Sequence, residues 1–288
     1  MEVRILRLDQ SFPDGPDGDT LAPHVSLEPF LEVADAQTRQ DVSKFRFLND
    51  ARRCLLGRLL PRSALAEKAN VPSDSLRFEI TRQGRPHAVH NALGRFPFDF
   101  NTSHDSNLVA VATLKRDGNS KRRIGVDVMK VRNPWEGTTT DEFLEGISAQ
   151  LTESERTKID SLGTDERAKL RHALALWTLK ESYVKATGEG LHHDLSQIGF
   201  DINLPRAARH DQVDVVGSVC LSDRESVDKW TFDLVEVNEG ENRYLVALAQ
   251  SDSEDGRGRV RWWAHKPDWI KFVTLHDVLE STRNGSCT

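Results

Sequence analysis

The chain has 288 residues and a net charge of −6, long enough for one large domain or two ordinary ones and without any global attraction for nucleic acid. Hydrophobic residues at 38% and charged ones at 29% fit a soluble globular protein, and no run approaches the ~20 apolar residues that span a bilayer. Cys54, Cys220 and Cys287 are scattered and odd in number, which argues against a disulfide framework or a zinc knuckle, and MEVRILRLDQ lacks a signal-peptide core, so a reducing cytoplasmic setting is expected.

Alternation in VRILRL predicts a first strand, followed by a loop, DQSFPDGPDGDT, too rich in Pro, Gly and Asp for regular structure. VSKFRFLNDARRCLLGRLLPRSALAEKAN reads as a long amphipathic helical region, interrupted or kinked at Pro61. LRFEI (76–80) predicts a strand and TRQGRP a turn, after which RFPFDF and NLVAVATL form two strands around a loop, NTSHDS. IGVDVMKV (124–131) is a strand with Ile124, Val126 and Val128 on one face and Gly125, Asp127 and Met129 on the other. In the segment that follows, Phe143 and Leu144 either offer apolar contacts to a partner or pack into the domain, and TESE (152–155) fits a capping box that starts a helix. RAKLRHALALWTLKESYVKA predicts a second long helix, ended by Gly188 at the C-cap. IGFDI, KWTFDLVEV and YLVALAQ read as strands, SDSEDGRGR as a loop or linker, and WIKFVTLHDVLE as a strand with a short closing helix.

The order of these elements repeats. After the second long helix, IGFDI matches LRFEI in pattern, KWTFDLVEV resembles RFPFDF, and YLVALAQ matches NLVAVAT almost letter for letter. Such matches in one order predict an internal duplication. The expected fold is α+β, a pseudodimer of two similar α+β halves, residues 1–125 and residues 126–288. The active site is expected in the cleft between them, with the metal and catalytic motifs on the second half.

Three places carry chemistry. The helical stripe Leu170, Ala173, Leu174, Trp177 continues through Glu181 to Val184, so a carboxylate stands where burial would strip its water. An i,i+4 ion pair with Lys185 accounts for it as a surface feature, and a catalytic or metal-binding role accounts for it as function. Asp127 sits in the middle of an apolar strand, where either Mg²⁺ or a turn could satisfy it. In FNTSHD, Ser103 and His104 offer a hydroxyl and an imidazole to a phosphate, with no nucleophile elbow around them. Lys44, and Arg85 beside Gly84, are basic residues near turns and suit either a phosphate or solvent.

Taken in order, FNTSHD, IGVDV and WTLKESYVKATGEGL resemble the signature of the 4′-phosphopantetheinyl transferases, in particular the monomeric surfactin-synthetase-activator type. The third motif is the most specific, and weaker similarity covers most of the chain. The resemblance implies transfer of the phosphopantetheine arm of coenzyme A to a serine of an apo acyl or peptidyl carrier protein, with release of adenosine 3′,5′-bisphosphate. By that analogy Asp127 and Glu181 hold Mg²⁺, Glu181 takes the serine proton, and Lys185 and Lys180 lie at the pyrophosphate. Ser103 and His104 hold the 3′-phosphate, with Lys44, Gly84 and Arg85 completing the coenzyme A site. Bacterial members often carry a second carboxylate two residues after the aspartate. Here that position is Met129, whose soft thioether does not suit Mg²⁺, so a water is expected in its place. The resemblance implies a monomer that binds neither nucleic acid nor membrane. Fatty-acid, polyketide, nonribosomal-peptide and aminoadipate-reductase carriers all stay open as partners. Another Mg²⁺-dependent phosphoryl or nucleotidyl transferase, or a non-catalytic carrier-binding module of the same fold, are the alternatives.

Overall fold

The computed structural model describes residues 1–12, 27–93, 96–117, 122–190, 194–205, 213–221, 229–251, 258–263 and 265–284. Up to the middle of the chain the elements are β1 (Glu2–Arg7), α1 (Glu28–Leu31), α2 (Ala36–Val42), α3 (Leu48–Ala69), β2 (Arg77–Ile80), β3 (Pro86–Val89), β4 (Phe98–Asp105), β5 (Leu108–Lys115) and β6 (Ile124–Lys130). Then come α4 (Thr140–Ile147), α5 (Glu153–Asp160), α6 (Glu166–Thr187), β7 (Ile198–Ile202), β8 (Val213–Leu221), β9 (Trp230–Glu239), β10 (Asn242–Ser251), β11 (Arg259–Trp263), β12 (Ile270–Val273) and α7 (Leu275–Asn284). No helix among the described residues is long and apolar enough to cross a membrane, and Cys54 and Cys220 are free thiols. Cys287, most of the Pro-, Gly- and Asp-rich loop and most of SDSEDGRGR lie outside the described residues.

Two compact units divide the chain: residues 1–81, 86–120 and 268–288 in the first, and residues 82–85 and 121–267 in the second. The first holds a four-stranded sheet in the order β12-β1-β5-β4 and a separate β2-β3 hairpin. Its core sets Leu55, Leu56, Leu59 and Leu60 of α3 with Phe100, Val109, Val111 and Val278. Where the sequence reading runs 126–288 as one half, residues 268–284 pack with the first unit, because β12 pairs in parallel with the edge of β1 (Val3 opposite Ile270).

The second unit holds a six-stranded sheet in the order β6-β10-β9-β11-β8-β7. Leu174, Leu176 and Leu179 of α6 form its core with Phe232, Leu234 and Leu245 of the sheet. Each unit has a helix of 22 residues, and the triplets β1-β5-β4 and β6-β10-β9 share one strand order.

Two local expectations change. The first long helix begins at Leu48, after a break at residues 43–47, and runs through Pro61, whose missing N–H removes one bond of the ladder without ending the helix. The expected loop NTSHDS is mostly strand. β4 runs to Asp105 and pairs with β5, and the turn is confined to Ser106 and Asn107, with Ser106 at φ 49°. A tight hairpin needs only two residues at its tip, and the polar residues before it take ladder positions.

His172 of α6 is buried, and burial first, then the charges of Lys158 and Arg171, push its imidazole down to about 4. A lowered histidine contributes stability that is present above its ordinary range near 6.5 and is lost as pH falls toward 4. Acid unfolding followed by circular dichroism is expected to begin at a lower pH in His172→Gln than in the parent chain. Coincident curves would remove this group from the acid transition.

Candidate active site

The site in the second unit begins with a glycine. A Cβ on Gly125 would lie 1.9 Å from the Ser182 carbonyl oxygen and 2.6 Å from the Ala186 nitrogen, so β6 and α6 touch backbone to backbone only because this side chain is absent. That contact brings the face of β6 carrying Asp127 against the turns of α6 carrying Glu181 and Lys185. Gly125→Ala is therefore expected to force strand and helix apart, at about 1–3 kcal/mol for an overpacked contact, and to lower activity with stability. A variant with unchanged melting temperature and full turnover would remove the close approach from the site's architecture.

Asp127 is buried, and its Oδ1 accepts a hydrogen bond from Lys185 Nζ at 2.6 Å. Of the two readings open for Glu181, the i,i+4 ion pair with Lys185 is not formed, because Lys185 pairs across the helix–strand contact with Asp127 instead. Among the described residues the Glu181 side chain makes no hydrogen bond or ion pair. Burial first, and then the negative charge of Asp127, hold its carboxyl above the usual carboxylate range, with Lys185 pulling the other way. Two hard oxygen donors close enough to repel, one of them without a hydrogen bond, suit a hard divalent cation that takes one or two carboxylates and fills its other positions with water and phosphate oxygens. Among the described residues no group of three or more His, Cys, Asp or Glu is placed to hold a metal. Met129 does not add to them; it packs partly buried against the core of the second unit.

The hairpin tip supplies Gly84, at φ 90°, and Arg85. Arg85 Nε donates to the Lys185 carbonyl at 3.1 Å and Nη2 donates to the Ile124 carbonyl at 3.0 Å. The guanidinium thereby ties the last turn of α6 to the start of β6, one residue from each of Ala186 and Gly125. Its stem lies along Gly188, the left-handed C-cap of α6, whose Cβ would meet Arg85 Cδ at 3.0 Å.

Lys180 departs from its expected role. Its side chain is fully buried, and Nζ donates to Glu155 Oε2 and to the carbonyls of Gln150 and Leu195. An ammonium with three acceptors inside the protein has no N–H left for a pyrophosphate, so Lys180 is not a phosphate contact.

The remaining residues expected at coenzyme A belong to the first unit. Ser103 and His104 are neighbours on β4, opposite Ala110 and Val109, so their side chains leave opposite faces of the strand; Ser103 is buried and His104 exposed. Lys44 is exposed and pairs with Asp41 Oδ1 at 2.8 Å. In the second unit, of the two readings open for Phe143 and Leu144 it is core packing that holds: Phe143 is a core residue and Leu144 packs against the same core. The exposed ring of that segment is Trp135, which is 42% exposed and meets Phe143 edge-on at 5.3 Å. Gly146 of α4 makes room for it, since a Cβ there would lie 2.1 Å from the indole.

Sequence reasoning placed Glu155 only in a capping box, which is present: Thr152 caps the Glu155 amide, and Glu155 Oε2 accepts the Thr152 amide. That Glu155 also meets Lys180 leaves no trace in the spacing. Gly125 could have been found, because a glycine mid-strand beside a helix often marks a close backbone approach.

Residues 24–116 match the family described as 4′-phosphopantetheinyl transferase, N-terminal, and residues 123–249 match the 4′-phosphopantetheinyl transferase superfamily. The L-aminoadipate-semialdehyde dehydrogenase-phosphopantetheinyl transferase of Xenopus laevis is 31% identical over 74% of this chain and 67% of that protein. Its namesake in Rattus norvegicus is 30% identical over 85% of this chain and 77% of its own length. The 4′-phosphopantetheinyl transferase pptA of Paxillus involutus is 33% identical over 79% of this chain and 82% of that protein.

Proposed function

The chain belongs to the 4′-phosphopantetheinyl transferases, resembling their eukaryotic members, and on that premise we propose that it transfers the 4′-phosphopantetheine arm of coenzyme A to a serine of an apo carrier protein. The observation that carries this reading is the trio Asp127, Glu181 and Lys185 gathered where β6 meets α6. The serine Oγ attacks the β-phosphorus of the coenzyme A pyrophosphate and forms a new phosphodiester. The bond to the bridging oxygen breaks, adenosine 3′,5′-bisphosphate leaves, and the serine proton goes to Glu181, directly or through one water. A carboxylate whose affinity for a proton is raised by burial is a better base than an exposed one. Lys185, already at the carboxylate of Asp127, supplies positive charge for the leaving phosphate. Mg²⁺ held by Asp127 and Glu181 would neutralise pyrophosphate charge when bound.

In the same reading the exposed His104 serves the 3′-phosphate, while Ser103, buried on the other face of β4, does not offer its hydroxyl to that phosphate; Lys44 adds positive charge and Arg85 with Gly84 shapes the coenzyme A site. The exposed Trp135 is the apolar contact offered to a carrier. The carriers considered are fatty-acid, polyketide, nonribosomal-peptide and aminoadipate-reductase domains, and the protein is taken to act as a cytoplasmic monomer.

The test is mass spectrometry of these apo carriers after incubation with coenzyme A and Mg²⁺. At least one should gain a phosphopantetheine on serine, and the product should vanish with EDTA. A chain that modifies none of them sinks the proposal. His104→Ala should weaken coenzyme A binding more than it lowers turnover, because the 3′-phosphate is remote from the reacting phosphorus. Its effect should shrink with dephospho-coenzyme A, which lacks that phosphate, whereas equal losses with both cofactors would move His104 out of this role.

A further inference from the structure

We propose that Lys180 and Glu155 form a positioning pair that fixes the rotation of α6 about its axis and so aims Glu181; the inference rests on the transferase reading of Glu181 given above. Lys180 Nζ lies 2.6 Å from Glu155 Oε2, 2.8 Å from the Gln150 carbonyl and 3.1 Å from the Leu195 carbonyl. Both side chains are 1% exposed. Glu155 in turn accepts the Thr152 amide at 2.7 Å, which starts α5, and the Phe200 amide at 2.9 Å. Phe200 belongs to β7, the edge of the sheet opposite β6, and an edge strand leaves amides without a neighbouring strand. One buried pair thus joins α6 to the turn before α5, to the turn before β7 and to the far edge of the sheet.

Helix geometry turns this into an aiming device. Successive side chains are about 100° apart, so Ser182 and Ala186, the residues against Gly125, lie about 200° and 240° round from Lys180. By the same count Glu181 and Lys185 lie about 100° and 140° round, on the flank between the two anchored faces. With one face seated on β6 and the face away from it bonded to Glu155, the helix cannot roll without breaking a contact. A small roll would swing Glu181 away from Asp127, and misplacement by about 1 Å can lower a rate by ~100-fold.

The test uses the full chain with both partners replaced, Lys180→Met together with Glu155→Met. Removing one partner alone strands a buried charge, whereas replacing both with apolar side chains of similar length is tolerated by many folds. Turnover is measured with an apo acyl carrier protein, coenzyme A and Mg²⁺, coenzyme A affinity by calorimetry without the carrier, and folding by thermal unfolding. The expected result is a folded protein whose kcat falls at least ~10-fold and whose half-saturating Mg²⁺ rises, with coenzyme A affinity within about twofold of the parent chain. If the double variant does not fold, the same comparison is made on Glu155→Gln, which keeps an acceptor for Phe200 and removes the charge opposite Lys180. A tenfold loss of coenzyme A affinity would make Lys180 a phosphate ligand and overturn the inference, and so would an unchanged kcat. If the parent chain itself modifies no carrier, the transferase reading falls and takes the inference with it. An active parent beside an equally active variant overturns the inference alone.

Discussion

Glu181→Gln is expected to lower carrier modification by at least ~100-fold while making the metal-free protein more stable above the weakly acidic range. The two effects share one cause. The carboxyl of Glu181 is held above its ordinary range by burial and by the charge of Asp127, and it has no hydrogen bond to offset that cost among the described residues. In the unfolded chain the same group loses its proton at the ordinary carboxylate value. Between the two values the native state keeps the proton and the unfolded state does not. Stability is therefore greatest below the ordinary value and declines as pH rises through the raised one. Above that point the charged form remains a burden on the fold, and it is the form a base and a metal ligand must have. Glutamine keeps the shape and carries no charge, so its melting temperature should vary less with pH and exceed the parent's in EDTA. Mg²⁺ should raise the melting temperature of the parent more than that of the variant, since a ligand stabilises only the state that binds it. A variant that is less stable than its parent in EDTA and turns over near-normally would make Glu181 an ordinary helix ion-pairing residue.

Asp127→Ala should abolish turnover at millimolar Mg²⁺, whereas Met129→Ala, two residues along the same strand face, should leave the half-saturating Mg²⁺ nearly unchanged. Asp127 carries the charge that Lys185 meets at 2.6 Å and that raises Glu181. Its loss removes one of the two hard donors and frees Lys185 from its partner. Met129 packs against the core of the second unit and has no oxygen to give, so trimming it should act on stability through lost packing. Titrating Mg²⁺ against carrier modification separates the two. If folded Met129→Ala loses activity as completely as Asp127→Ala, the proposed metal position is misplaced.

Much of the site was legible in the chain because its signals are local. The alternation of IGVDVMK, the three-and-four spacing that carries Glu181 and the glycine at 188 each depend on neighbours within one turn or one pleat, and β6, α6 and the left-handed C-cap follow them. The expected loop at NTSHDS failed on a local matter too: polar composition suggested a turn, but pairing with β5 satisfies the backbone of those residues better than water in a loop would, and only Ser106 and Asn107 turn.

Pairings between distant segments had no such signal. Spacing offered Lys185 to Glu181, and the family resemblance offered Lys180 to a phosphate. The fold instead gives Lys185 to Asp127 and Lys180 to Glu155, 58 and 25 residues away. A helical repeat says which side chains share a face, and it is silent about what that face meets. Which acid meets which lysine is settled by the close approach of β6 to α6 at Gly125 and by the seating of α5 beside the edge strand β7. Burial then decides the chemistry: an ammonium shut in with three acceptors is held as a bolt, while a carboxylate half shut in beside another carboxylate keeps the surplus charge that a cation or a proton can meet.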